Sequence, residues 1–542
     1  MKQPVRQHAQ PHSLAGLVVV LLLSAGFVWL TFGPSFVRGQ STFWQTDAQD
    51  ITQYMAGFNL YFSAPWQYPL LAFDSLNYPE GTRATFVDII PLYALLLKLF
   101  IPASWAPFNP FGVWVAGCFV LQAAGAWWVA RELRANSWVF MLGLAALLLM
   151  TPALLSRIGH ISLMSHWIVV FAIALYLRGW RMQVMPVAGW ALLLVSAFYI
   201  NIYLFVMATG IHAAAALSVT QARSMRYWLQ ATGPLWALLI SLPLTLMPLP
   251  PGGVTREWGF GYYSMNVLSP LIGGYIIQLK AEVGPGQYEG FNYLGLGLII
   301  ALGLVYGNRA TRIHAHNVLR RHWALALLLL GYSVYALSNQ IYIGSTQVAT
   351  LSYPGITNAL TSQFRVSGRF FWPAAYALMI GVWWLLFQRY GKRRFLYVAT
   401  ALTLLQLIDL TTVYASLQAT LTRPPAQHLQ RAGWDATIPA HVKTLYFYPK
   451  FKCGQTPAYE SLLPVMHYAS LRGHNLNTGY ISRYTPLCND MAREIANSLP
   501  HESAYVFVRK EFTGLQAIRP LLPSSSTECH EVDFAFICVA PR

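Results

Sequence analysis

The chain has 542 residues, of which 56% are hydrophobic, 14% aromatic and only 10% charged. Soluble globular domains carry about 25% charged residues, so an ordinary water-soluble enzyme is excluded. The formal net charge of +17 lies mostly in short segments between apolar runs, which fits the cytoplasmic loops of a polytopic membrane protein and not a nucleic-acid partner.

Residues 1–12 are basic and 14–37 are apolar. That run exceeds the roughly 7–15-residue core of a signal peptide and predicts a retained first span with a cytoplasmic N-terminus. A long loop, 38–110, follows. It holds Asp47, Asp50, Asp74, Glu80 and Asp88, five of only 19 acids in the chain. Within it NYPEGT (77–82) carries turn chemistry, which folds Trp66 and Arg83 back towards Asp47. The apolar segment 89–102 contains Lys98. A helix at the outer interface suits it, although a short true span stays open.

Further apolar runs cover 111–130, 138–155, 164–177, 184–217 (split near 199–201), 228–249, 291–306, 323–337, 371–387 and 395–414. Basic turns such as RELRAN, RGWR, TQARSMR, GNRATRIHAHNVLRRH and QRYGKRR alternate with long polar loops. This predicts about 11 spans in a transmembrane domain over 1–423. The loops 38–110, 156–166, 250–290 and 338–370 then lie outside, the basic turns inside.

Residues 424–542 change in composition. Strand-like runs at 442–449, 503–510 and 533–540 and a helix-like 486–500 predict a small extracytoplasmic α/β domain. Cys453, Cys488, Cys529 and Cys538 all fall there. Four Cys in one domain imply two disulfides and an oxidising compartment. The local pairing is 453–488 with 529–538, but three connectivities are open. Cys118 sits alone in an apolar run.

Several residues are candidates for chemistry. Asp47 and Asp50 share a face if their segment is helical. Such a pair acts as a general base or holds a divalent cation, the one cofactor this chain suggests, or else is merely two solvated loop acids. Asp88 is either a site residue or the N-cap of the following helix. Arg157 and His160, in SRIGHISLMSHW, offer a phosphate ligand. Arg365 and Arg369, in FRVSGRFFWP, stand at i, i+4 on the outer side, where Arg forks suit phosphate oxygens and headgroup snorkelling is the plainer alternative. Trp66, Tyr262 and Tyr288 suit sugar stacking, against an interfacial aromatic belt. Glu257, Glu289, Asn266 and Asn292 suit sugar hydroxyls. There is no Walker loop, dinucleotide fingerprint, HExxH or GxSxG.

TDAQDITQY, NYPEGT, DIIPL, RIGHISLMSHW, GFGYYSMN, YEGFNYLG and SGRFFWP, across 14–415, resemble a bacterial group placed in the GT-C superfamily of integral-membrane glycosyltransferases. The resemblance implies a mainly α, GT-C-like bundle. It implies transfer of a sugar from a polyprenyl-phosphate donor to an envelope glycan or lipid acceptor, at the outer face of a bacterial inner membrane. It puts Asp47 at the acid after the first span, with Asp50 beside it. Relatives often supply another acid from the second outer loop. None stands here, which leaves Asp88 to fill the gap. The alternatives are a flippase or transporter for a lipid-linked saccharide, and a non-catalytic envelope-polysaccharide assembly protein.

Overall fold

The computed structural model describes residue 11 and residues 13–219, 224–250, 255–277, 286–523 and 526–540. The basic residues 1–10 and the TQAR of the 220–226 turn lie outside the described residues. The first half of the bundle is built from α1 (Leu14–Val37), α2 (Asp50–Ser63), α3 (Pro91–Phe100), α4 (Phe111–Glu132), α5 (Trp138–Leu149), α6 (Pro152–Leu155), α7 (Trp167–Met182), α8 (Val187–Ile200), α9 (Ile202–Ser218) and α10 (Met225–Thr245). The second half is α11 (Leu296–Gly307), α12 (Arg309–Arg321), α13 (Trp323–Leu337), α14 (Asn358–Gln363), α15 (Trp372–Asp409) and α16 (Thr411–Thr422).

Among the described residues five stretches are long and apolar enough to cross a membrane: Leu14–Gln45, Phe111–Glu132, Trp138–Leu155, Ile161–Met182 and Ser367–Asp409. The expected count of about 11 is therefore not reproduced by helix length, and the reasons are local. The 184–217 run breaks at Asn201, whose side-chain oxygen caps α9 at Tyr203 N (3.0 Å). The halves, α8 and α9, have 14 and 17 residues. The expected pair at 371–387 and 395–414 is present as two helical halves of α15 that fold back on each other at Gly391 (φ 63°), with the Trp383 and Phe395 rings 5.1 Å apart. α11 has 12 residues, about 18 Å at 1.5 Å per residue, against a hydrocarbon core of about 30 Å. The most basic turn, 307–322, is itself a helix, capped by Asn308.

α4 packs between α1, α5 and α7, while α15 lies against α5 and α11. α9 joins α7, α8 and α13. Some polar side chains of this core bond across helices: the Trp383 indole donates to Phe140 O (3.0 Å), and Gln122 donates to Tyr376 Oη (3.1 Å).

The acid loop folds into the bundle as well as over it. α2 is buried from Ile51 to Phe62. α3 has ten residues and packs on α2 and α8. At about 15 Å it is half the length a crossing needs. Lys98 turns inward and donates to Tyr61 O (2.7 Å) and Ala64 O (2.9 Å) at the C-terminal end of α2. The NYPEGT turn forms as expected between β1 (Ala72–Phe73) and β2 (Thr82–Arg83), with Asn77 and Gly81 at positive φ. It does not return Arg83 to Asp47. Arg83 donates instead to Pro248 O (2.7 Å) beyond α10, and Trp66 lies half-exposed under Lys98. A second hairpin, β3 (Gln340–Ile343) with β4 (Thr346–Thr350), sits in the 338–370 loop.

The C-terminal unit has a five-stranded sheet in the order β6-β5-β7-β9-β8, from β5 (Thr444–Tyr448), β6 (Asn475–Leu476), β7 (Ser503–Val508), β8 (Glu528–Val532) and β9 (Ala535–Val539). β5 is parallel to β6 and β7, and β9 is antiparallel to β7 and β8. Among the described residues four helices accompany it: α17 (Arg431–Thr437), α18 (Leu462–Arg472), α19 (Met491–Asn497) and the short α20 (Leu515–Ile518). The disulfides are Cys453–Cys488 and Cys529–Cys538. The second joins facing residues of β8 and β9.

Candidate active site

Four loops that lie far apart in sequence meet at one end of the bundle. Their meeting point is Glu289, in a short turn before α11. Glu289 is buried, with 4% of its side chain accessible. Arg157, from the loop after α6, pairs with Glu289 Oε2. Arg369, from a 3-10 turn at 367–371, donates to the same oxygen through Nη2 (2.9 Å) and Nε (3.2 Å). His160 Nε2 meets Oε1 at 3.0 Å. Arg157 also donates to Tyr288 O (3.1 Å). Burial alone would raise the Glu289 carboxyl. The cations of Arg369 and Arg157, with His160, outweigh it and hold the group well below the usual carboxylate range. Two guanidiniums on one carboxylate leave net positive charge in a dry setting, which is where an anionic ligand gains most.

The other face of this cluster is acidic and wet. His160 Nδ1 lies 3.6 Å from Asp50 Oδ2, and the Asp50 side chain is half-exposed. Asp88 is exposed to solvent, yet desolvation by the surrounding protein raises its carboxyl above the usual range. Asp50 adds to the rise, while His160 and Arg369 oppose it. Asp88 and Ile90 are both left-handed, at φ 55° and 57°. Asp tolerates this region, but a β-branched residue does not, so this turn is strained. The tyrosines around the opening, Tyr262 and Tyr288, are 38% and 59% exposed. Tyr54, one turn after Asp50 on α2, bonds Ser162 Oγ at 3.0 Å.

The structure brings together Asp50, Asp88, Arg157, His160 and Arg369. It does not bring in Asp47. The helix begins at Asp50, so Asp47 never shares its face. Both Asp47 oxygens accept from backbone N–H groups of the linker to the C-terminal domain, His428 N (3.0 and 2.9 Å) and Leu429 N (3.0 Å). It lines a different cavity of about 500 Å³, with Trp44 and His467. The pair that suited a divalent cation in sequence does not fit one here, and among the described residues no three His, Cys, Asp or Glu side chains gather as a metal site. Three further expectations change. Asp88 is not the N-cap of α3, since that position is Ile90 and no side chain caps it. Arg365 and Arg369 are not one helix turn apart, because Val366, at φ −86° and ψ 72°, is not helical. Arg365 lies over the Tyr263 ring (5.5 Å) and donates to Trp258 O (2.9 Å). Trp66 stays on the far side of α2, with Lys98.

Glu289 is the residue that the sequence reading undervalued, as one of several possible sugar contacts. A signal existed: two Arg entering membrane-level structure need a counter-charge, and the loop acids are few. Tyr480, discussed below, carried no signal, because its position depends on the docking of a second domain.

An apolar groove of about 920 Å³ begins at Phe371, two residues from Arg369, and runs between α7, α13 and α15 to Arg181 and Arg321 at the opposite end.

The fold is similar to that of a single-particle cryo-EM structure of the arabinofuranosyltransferase AftD from Mycobacteria, with a TM-score of 0.52 at 13% identity. The match covers 98% of this chain but 40% of that one, so the chain spans well under half of that enzyme's length. No curated protein matches the sequence. Residues 21–411 match the domain of unknown function DUF6311, and 433–540 match the DUF6311 C-terminal domain. By both matches, the chain belongs to the DUF6311 family.

Proposed function

We propose that the protein is a membrane glycosyltransferase of GT-C type. It moves a sugar from a polyprenyl-phosphate donor to an envelope glycan or lipid, on the outer face of a bacterial inner membrane. One observation carries the reading: two water-accessible carboxylates, Asp50 and Asp88, stand beside the buried Arg157–Glu289–Arg369 cluster. That is a base next to an anion-binding centre. Asp88 accepts the proton of the acceptor hydroxyl; a carboxyl raised towards working pH suits that task. The hydroxyl oxygen bonds to the anomeric carbon as the bond to the lipid phosphate breaks. The departing phosphate's charge falls on Arg157 and Arg369, which Glu289 holds in position. Asp50 orients His160. The groove from Phe371 supplies an apolar bed for the lipid tail.

The disulfides support an extracytoplasmic C-terminal domain, and the basic turns at the other end support a cytoplasmic side there. The 11-span topology follows if the bilayer thins locally around the short helices. The test is transfer from radiolabelled polyprenyl-phosphate sugars to envelope glycan fragments by purified protein in detergent. Asp88→Asn should lower the rate about 10²–10⁴-fold, and Arg369→Lys should be milder than Arg369→Ala, since it keeps charge and loses the fork. Lipid-linked sugar crossing proteoliposomes without transfer would replace this reading with a flippase.

A further inference from the structure

The C-terminal domain does more than cap the bundle. Its segment 477–484 is threaded between two of the site-bearing loops. Leu476, at the sheet edge, pairs in parallel with Leu76 of the acid loop. Leu476 N donates to Ser75 O (2.9 Å), and Tyr78 N donates to Leu476 O (3.0 Å). The acid loop thus forms one parallel β-bridge at the edge of the domain's sheet, a contact in which main-chain bonds fix the register. Beyond this joint, Ser482 N donates to Phe86 O (2.8 Å), two residues before Asp88. Arg483 donates to Ser362 O (2.8 Å) and Gln363 O (2.7 Å), just before Arg365. Tyr480 lies at the middle of this bridge. Its carbonyl accepts from Gln53 of α2 (3.0 Å), the helix that opens with Asp50. Its ring lies 4.7 Å from Phe451. Its phenol is near enough to Asp50, Asp88, Arg365 and Tyr263 to feel their charges. Gly479 makes the approach possible, since a Cβ there would stand 2.5 Å from the Leu76 side chain.

We propose that Tyr480 is a stacking platform for the acceptor, so that the C-terminal domain builds the acceptor subsite of the cavity. The acceptor that fits is a neutral glycan. Asp50 and Asp88, whose charges reach the Tyr480 phenol, disfavour an anion and accept hydrogen bonds from sugar hydroxyls, while Arg365 is engaged by Trp258 O and the Tyr263 ring. The buried arginines lie on the far side of His160, where the donor phosphate belongs. A planar ring over a sugar face, with carboxylates along its edge, suits hexose or pentose rings without charged substituents. The proposal rests on the glycosyltransferase reading for the word acceptor, but the sugar contact itself does not.

Saturation-transfer NMR on the full-length protein in detergent tests it, with methyl glycosides of arabinose, mannose, glucose and galactose as probes and methyl glucuronide as the charged control. Wild type should saturate at least one neutral glycoside and leave the glucuronide unsaturated. Tyr480→Ala should weaken that binding tenfold or more, whereas Tyr480→Phe keeps most of it. Gly479→Val should lose it with Tyr480 still present, because the bridge is pushed off Leu76. Equal binding by wild type and Tyr480→Ala, preference for the glucuronide, or no glycoside bound at all would overturn the subsite. Sugar bound at Tyr480 by a protein that transfers none would leave the subsite and remove the enzyme. Transfer whose acceptor KM ignores Tyr480→Ala would leave the enzyme and remove the subsite.

Discussion

At the scale of single residues, charge in this protein is placed under opposing demands. Glu289 neutralises part of two buried guanidiniums. Replacing it with Gln strands them, and breaking a buried pair in this way costs about 3–5 kcal/mol. Asp88 behaves in the opposite sense. Its folded carboxyl is raised above the unfolded value, so its contribution to stability is present at low pH and lost as pH climbs through the raised folded value. Asn fits the left-handed backbone at 88 as well as Asp does. Thermal unfolding at neutral pH should therefore fall for Glu289→Gln and hold or rise for Asp88→Asn, the latter despite its loss of transfer. In wild type the transfer rate should grow with pH along the ionisation of Asp88, above the normal carboxylate range. A flat profile between pH 4 and 8 would take the base role from it. Asking where scarce acids and misplaced arginines stand singles out Asp50, Asp88, Arg157, His160 and Arg369, which the fold brings close together. The sequence misplaced Asp47 because spacing was read as helical before the helix boundary was known.

At the scale of elements, α2 is the part that the sequence hid most. DITQYMAGFNLYFS alternates polar and apolar residues too freely for a core helix, yet it is buried almost throughout. Partners from elsewhere explain this: Gln53 reaches Tyr480, Asn59 accepts from Phe108 N (3.0 Å), and α18 packs along its length. None of these can be inferred locally. Lys98 is the counterpart, an apparent defect in an apolar run that turns out to finish α2. Its ammonium sits where a helix dipole favours cations, although burial pulls its pKa down to about 8. Lys98→Met keeps the stem and removes the donor. We expect a loss of about 1–3 kcal/mol, read as a lower melting temperature, with faster hydrogen exchange confined to residues 60–66. Unchanged exchange there would show that the two carbonyls do not depend on Lys98. The apolar runs were legible to within a turn at α1, α4 and α13, where composition and helix coincide. They do not settle the count of crossings where the helices are short, as at α8, α9 and α11.

At the scale of the whole molecule, β5, β7 and β9 of the small domain and both disulfides were legible, whereas β6, β8 and the domain's docking were not. The local pairing 453–488 and 529–538 is the one formed. The Cys453–Cys488 bridge closes a loop that contains Tyr480, so reduction should act on the site as well as on the domain. We expect no free thiol in the native protein apart from buried Cys118. Removing the bridge as Cys453→Ser/Cys488→Ser should cost about 2–5 kcal/mol and raise the KM for acceptor more than that for donor. Four additional titratable thiols in protein purified without reductant would refute the extracytoplasmic placement.

The joint between Leu76 and Leu476 also sets an order of events in biosynthesis. Gln53 and Tyr480 stand 427 residues apart in the chain, and everything between them is made and inserted before they can meet. A nascent protein therefore carries its acids and arginines in the bundle for most of its synthesis without a finished cavity. The loops around Glu289 gain their contacts from 477–484 only once the C-terminal domain has folded against the acid loop.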